Sequence, residues 1–357
     1  MANLTNEVED GTYIPLSLVE KTLKMSWGVI GVVGMMANAF VIFIFLRVPS
    51  LRSITNMFLI NQSLLDFASS AILVAVKFTP VKWPLRLGAF NDFVCKVWVS
   101  EYLNMGVVVA STLNLICVSF ERYFAIVHPL LHRDWLTETK AKVVMALVWV
   151  LGYISELVWM VINRAKDGFC TMVWPSATYQ NFFGFYFIVL VFIMPVSLMT
   201  YAYLRILVSL RQTNPALDNA TSASGPDGVG GRAAAMSKAS RNVLKTLVTV
   251  FLAYVCCWLP QQCMFFMYTI GLPVDLTSNG FNVAMVLVNC NMLVNPFIYV
   301  FQYRQFIRGV RETFRRRKAT VAPKSTTPAT DRRRVPANGT STKQSTSTKV
   351  TTSTSNT

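Results

Sequence analysis

Histidine is nearly missing from this chain, and charge is scarce. His128 and His132, both close to Pro129, are the only two histidines in 357 residues, which argues against a histidine-based metal centre. No HExxH, GxSxG or GxxxxGK[ST] string occurs, so a zinc hydrolase, a serine hydrolase and a P-loop NTPase all lack support. Charged residues make up 14%, where soluble domains run near ~25%. The opening "MANLTNEVEDGTYIP" is acidic and has neither a basic n-region nor an apolar h-region. A cleaved signal peptide is therefore not expected, and the first apolar span would serve as the signal anchor.

What fills the space is apolar. The chain is 53% hydrophobic, rich in Phe and Met, with mean hydropathy +0.45, and fits one membrane domain better than several soluble ones. Runs of membrane-spanning length fall near 27–46, 56–79, 94–120, 142–162, 182–208, 246–270 and 281–301. An all-α membrane protein follows, a bundle of seven transmembrane helices over 26–302. With seven spans the termini lie on opposite sides. Of 33 Lys and Arg residues, 25 fall in the loops that share a side with the C-terminus. By the positive-inside rule, residues 1–25 are extracellular and the protein is a multi-pass one of the plasma membrane. The positive charge is thus a topology signal before it is a nucleic-acid signal, and no nucleic-acid partner is inferred.

Residues 214–231, "NPALDNATSASGPDGVGG", have the composition of a flexible inner loop, and 319–357, nearly half Ser and Thr, that of a disordered cytoplasmic tail. Between the last span and the tail, Tyr303, Phe306, Ile307, Val310 and Phe314 recur at helical spacing opposite arginines. This predicts a short amphipathic eighth helix over 303–318, lying on the membrane lipids of the inner face. Five of the seven cysteines (Cys117, Cys256, Cys257, Cys263, Cys290) sit within apolar runs as small hydrophobes. Cys95 and Cys170 lie instead at the ends of such runs among polar residues.

An ionisable group inside a span costs about 2.5–3.5 kcal/mol on insertion scales, so each needs a reason. Asp66 lies mid-span, with Asn38, Ser111, Asn291 and Asn295 in other spans. Asp66 is either simply protonated and hydrogen-bonded, or the centre of a polar cluster whose oxygens hold a small cation. In the third span Asn104, Val108, Ser111, Leu115, Val118 and Arg122 share one face. Arg122 then either anchors the inner end of the helix or is a group that a moving helix exposes or hides.

The chain resembles a rhodopsin-family (class A) G-protein-coupled receptor over residues 25 to 317. The resemblance rests on Asn38 in "GMMAN", "SLLD" ending at Asp66, "ERY" (Glu121, Arg122, Tyr123), Trp149, Pro195, Tyr203, "CWLP" (257–260) and "NPFIY" (295–299). It implies an activation switch of Glu121, Arg122, Tyr123, Pro195, Tyr203, Tyr254, Trp258, Pro260, Asn295, Pro296 and Tyr299. Glu121 would restrain Arg122 at rest, and the prolines would supply bends. It further implies a sodium site of Asp66, Ser111, Asn291 and Asn295, with no other cofactor, and a Cys95–Cys170 disulfide. Partners would be a heterotrimeric G protein, and arrestin and receptor kinases acting on the tail; the tail could equally be passive. No enzymatic activity is implied. Tyr254 stands where the family usually has Phe, and Thr112 where a branched apolar residue is usual.

The ligand is narrowed by exclusion. Asn289 stands where retinal-binding relatives carry Lys, and Asn104 where amine receptors carry Asp. The implied pocket is Asn104, Met105, Trp258, Gln261, Gln262, Phe265, Phe281, Met285 and Asn289. Its amides both donate and accept, which suits a peptide backbone. "CWLPQQ" and "NPFIYVFQYRQF" are similar to galanin-, allatostatin- and somatostatin-type peptide receptors. A lipid or other small molecule is the alternative ligand, and an ion-coupled transporter the alternative class. Asp92, Glu101, Asp167 and Asp275 either attract a basic peptide or merely solvate the loops, and Glu156 would face a cationic ligand. Asn3, in "NLT", is the one outward glycosylation sequon.

Overall fold

A computed structural model describes the backbone of residues 8–9, 12–13, 17–79, 81, 88–224 and 229–321. Side chains of 8–9, 12–13, 213–224, 229–238 and 316–321 are left undescribed. Asn3 and the tail from 322 onward lie outside the described residues.

Among the described residues, seven helices are long and apolar enough to cross a membrane: Leu18–Arg47, Ile54–Phe78, Ala89–Val127, Glu138–Ile162, Ala177–Gln212, Ala239–Thr269 and Asn279–Gln302. They are the first to seventh spans below. Most start where a Ser or Thr side chain satisfies a free backbone N–H. Ser53, Thr137, Ser176 and Ser278 each accept from the residue three along. Ser17 forms a full capping box: its hydroxyl accepts from the Glu20 N–H at 3.2 Å, and the Glu20 carboxylate accepts from the Ser17 N–H at 2.7 Å. That box starts the first span well before the apolar run, at Leu18 rather than 27.

Two further boundaries differ from the hydropathy pattern. The third helix runs on to Val127, where His128 precedes Pro129, so Glu121 and Arg122 lie within it and not at its end. The helices of the fifth and sixth spans extend to Ser224 and back to Val229. Residues 214–224 and 229–231 are therefore helical rather than loop, since extending an existing helix needs no new nucleus.

A polar network runs through the apolar core, while the exterior of the bundle is apolar. Val29, Phe43, Phe182 and Phe301 point outward, while Asn38, Gln62, Asp66, Asn104, Ser111, Asn114, Asn289, Asn291 and Asn295 are buried. Hydrogen bonds replace water for these groups. Asn61 donates to Asn114 Oδ1 at 2.8 Å and accepts from Trp149 Nε1 at 3.1 Å, joining the second, third and fourth spans. Close packing does the rest: a Cβ at Gly152 would collide with the Gly106 carbonyl and with Ala110.

On the outer side a hairpin pairs Asn163–Lys166 with Phe169–Met172. Its turn uses Asp167 and Gly168, both at positive φ (53° and 82°), the Asp-Gly pair that two-residue hairpins favour. A second ladder, Val8–Glu9 with Thr12–Tyr13, precedes the first span. On the inner side the helix Arg304–Val321 docks back on the bundle. Phe306 is fully buried against Phe45, with ring centres 5.4 Å apart, and the Tyr303 hydroxyl donates to Asn56 Oδ1 at 2.8 Å.

Candidate functional site

At the inner end Glu121 is the hub. Its carboxylate accepts from Arg122 Nε and a terminal guanidinium nitrogen, each at 2.5 Å, and from the Thr55 hydroxyl at 2.9 Å. Arg122 also bonds the Thr55 hydroxyl. His132 Nε2, from the loop helix Pro129–Trp135, lies 3.0 Å from the same carboxylate. Thr55 and His132 belong to no motif, and nothing local in the sequence points to their meeting here. The Tyr203 hydroxyl meets Ser119 Oγ at 2.6 Å, Tyr299 is buried, and Tyr123 packs edge-on against His128 rather than joining the ion pair.

Halfway across, Asp66 collects donors. Ser111 Oγ gives one at 2.9 Å, Gln62 Nε2 one at 3.2 Å, and Asn295 Nδ2 one at 2.7 Å. Gln62, which also bonds Ser111, is absent from the set expected from sequence. Asn291 makes no such bond to Asp66; its Oδ1, like that of Asn295, is buried with no hydrogen-bond partner among the described residues. One carboxylate, one hydroxyl and two orphaned amide oxygens are a donor set a hard monovalent cation accepts, so the residues present fit sodium.

The prolines tie the spans together. Pro296 has no N–H for the Met292 carbonyl one turn back, and Asn38 Nδ2 donates to that oxygen at 2.9 Å instead. Pro195 likewise has no N–H for the Val191 carbonyl one turn back, within a π-helical stretch (Ile188–Ile193), and the Tyr254 hydroxyl donates to that carbonyl. The sixth span thereby repairs the fifth through the hydroxyl that distinguishes Tyr254 from Phe. Trp258 packs against Tyr254 at a tilt, with ring centres 5.8 Å apart.

Trp258 is also the floor of an outer cavity of about 80 Å³. Met105, Gln261, Gln262, Phe265, Phe281 and Met285 line it, as does Cys170, whose disulfide to Cys95 ties the hairpin to the third span. Asn104 and Asn289 do not. They are fully buried, with Asn104 donating to Asn289 Oδ1 at 3.3 Å and accepting from Ser69 Oγ at 2.9 Å. Paired amides have little left to offer a ligand, which corrects their place in the expected pocket.

Acids around the outer face are mostly occupied. Asp92 pairs with Lys96 at 2.5 Å, and Glu101, at φ 59°, pairs with Lys77, whose ammonium also lies 4.1 Å from the Trp27 ring centre. Hydrogen bonds from the Thr277 hydroxyl and N–H hold the Asp275 carboxyl below its ordinary range. Glu156 differs. It sits at the break between Glu138–Ser155 and Leu157–Ile162, buried, and its carboxylate faces the cavity, accepting from Trp159 Nε1 at 2.6 Å.

Seven membrane-crossing helices thus carry an ion-paired cluster at one end of the bundle and a disulfide-tethered cavity toward the other. The model of the seven-transmembrane receptor (rhodopsin) family matches residues 37–299, and the chain belongs to that family, the class A G-protein-coupled receptors; its members are receptors and not enzymes. It is 26% identical to an allatostatin-A receptor of Bombyx mori, over 85% of this chain and 82% of that one. Over 89% and 84% it is 27% identical to a QRFP-like peptide receptor of Branchiostoma floridae. A somatostatin receptor type 2 of Mus musculus is 24% identical over 78% and 73%.

Proposed function

We propose that this receptor lies in the plasma membrane with its N-terminus outside, binds a peptide in the outer cavity, and activates a heterotrimeric G protein at the inner face. The cavity carries this reading. Gln261 and Gln262 offer amides to a peptide backbone amid Trp258, Phe265, Phe281 and Met285. The peptide receptors among its relatives point the same way. Ligand contact at Trp258 would be relayed through Tyr254 and the fifth span to Arg122. Arg122 would leave Glu121, and Tyr203 and Tyr299 would move in as the inner end of the sixth span swings out. Asp66, with Ser111, Asn291 and Asn295, would hold sodium, which would supply a positive charge at the centre of the bundle. Phosphorylated by receptor kinases, the Ser/Thr-rich tail would present clustered anions to arrestin.

The test is G-protein dissociation in cells expressing the chain, against short amidated peptides beside lipids and amines. A saturable peptide response that vanishes in Arg122→Ala, at equal surface expression, is expected. A response to lipids alone would leave a receptor but remove its peptide ligand.

A further inference from the structure

The outer cavity is unbalanced in charge and in hydrogen bonding. Among the described residues, Glu156 is the one charged residue in its lining, which holds no Lys, Arg or His. A carboxylate buried in a span is costly unless a cation meets it, and here only the Trp159 indole N–H does. Two further acceptors, Gln261 Oε1 and Gln262 Oε1, are buried without a donor among the described residues. Beside them stand aromatic faces: Trp159 lies 5.6 Å from Phe187 and 5.7 Å from Phe265, ring centre to ring centre. Acceptors in excess, no resident cation and a π-rich wall define the missing group. It is flat, cationic and rich in N–H donors.

We infer that Glu156, with Gln261 and Gln262, recognises a guanidinium group on the ligand, an arginine side chain if that ligand is a peptide. A guanidinium carries five N–H donors in a fixed fork and stacks on aromatic rings. An ammonium has three donors on a compact, strongly hydrated head and matches this wall less well. Space agrees. One water needs about 10–15 Å³ on this measure, so about 80 Å³ takes a side-chain tip, with the rest of the ligand above it. The anionic partner absent from the third span, where Asn104 is paired away, is supplied by Glu156 in the fourth. This rests on the cavity being the ligand site, as proposed above.

Benzylguanidine and its neutral counterpart benzylurea separate the two ideas. Receptor purified in detergent is followed by thermal unfolding with each compound. Benzylguanidine is expected to raise Tm of the wild type and to lose that effect in Glu156→Gln, which keeps the shape and the Trp159 bond, and in Gln262→Leu. Benzylurea is expected to do nothing. In cells, replacing arginine by citrulline in an activating peptide is expected to lower potency by at least tenfold on the wild type and to change nothing on Glu156→Gln. Equal stabilisation by benzylurea, an undiminished benzylguanidine effect in Glu156→Gln, or activating peptides indifferent to citrulline would overturn the assignment. Benzylguanidine binding through Glu156 beside a silent peptide panel would instead uphold the cation site and remove the peptide.

Discussion

Tyr254→Phe removes one oxygen and restores the residue usual in the family. Its ring would keep the stacking on Phe192 and the tilted contact with Trp258, so the change removes only what the hydroxyl makes, its bond to the Val191 carbonyl and its contact with Thr112. That carbonyl cannot be served from within its own helix by Pro195, and there is no bulk water at this depth. Leaving such a group unpaired costs about 1–3 kcal/mol. If the sixth span breaks this bond when it rotates, the substitution lowers the cost of leaving the resting arrangement by that amount. The equilibrium then shifts by roughly 5- to 150-fold. The assay is ligand-free G-protein dissociation, normalised to surface receptor, with thermal unfolding of purified protein alongside. Expected are higher basal activity and a lower Tm. A lower Tm with unchanged basal activity would mean the bond persists in both states and is no part of the switch. No change in either would refute the bond itself.

Other outcomes follow from the same contacts. Asn38→Ala orphans the Met292 carbonyl and should destabilise the receptor by about 1–3 kcal/mol, read as a lower Tm without loss of ligand selectivity. Asp66→Asn should abolish any dependence of ligand potency on sodium at constant ionic strength, because the carboxylate is the only charge in the proposed site. Cys170→Ser opens the 75-residue separation closed by the disulfide, worth about 4 kcal/mol in the chain-entropy picture, and should cut surface expression and ligand binding together. Asn3→Gln should remove a glycosidase-sensitive shift on gels if the N-terminus is outside.

The architecture was legible because membrane physics is blunt. Apolar runs marked the spans, and Asp66, Arg122 and Pro296 announced themselves as residues a membrane does not accept without cause. Helix ends were less legible. Ser17 and Glu20 set the first one through a capping box whose polar residues lie outside the hydropathy signal. Partners were least legible. Gln62 and Thr55 are ordinary polar residues whose roles arise only when the second span meets the third, and His132 was weighed only as a metal ligand. Asn104 and Asn289, 185 positions apart, were assigned to a ligand by family position, yet they satisfy each other. Pairing between distant segments is a property of the packed bundle, and no local pattern encodes it.

The third span is held very differently at its two ends. Outside, a covalent bridge at Cys95 and the Lys77–Glu101 pair bind it to the hairpin and the second span. At the other end it is restrained at Glu121 and Arg122 by hydrogen bonds and an ion pair that a partner or a small rotation can undo. Such a rod pivots about its fixed end. A displacement of a fraction of an ångström beside the cavity would arrive at the far end of the bundle magnified by the length of the lever, so a ligand bound there would need to move very little to be noticed.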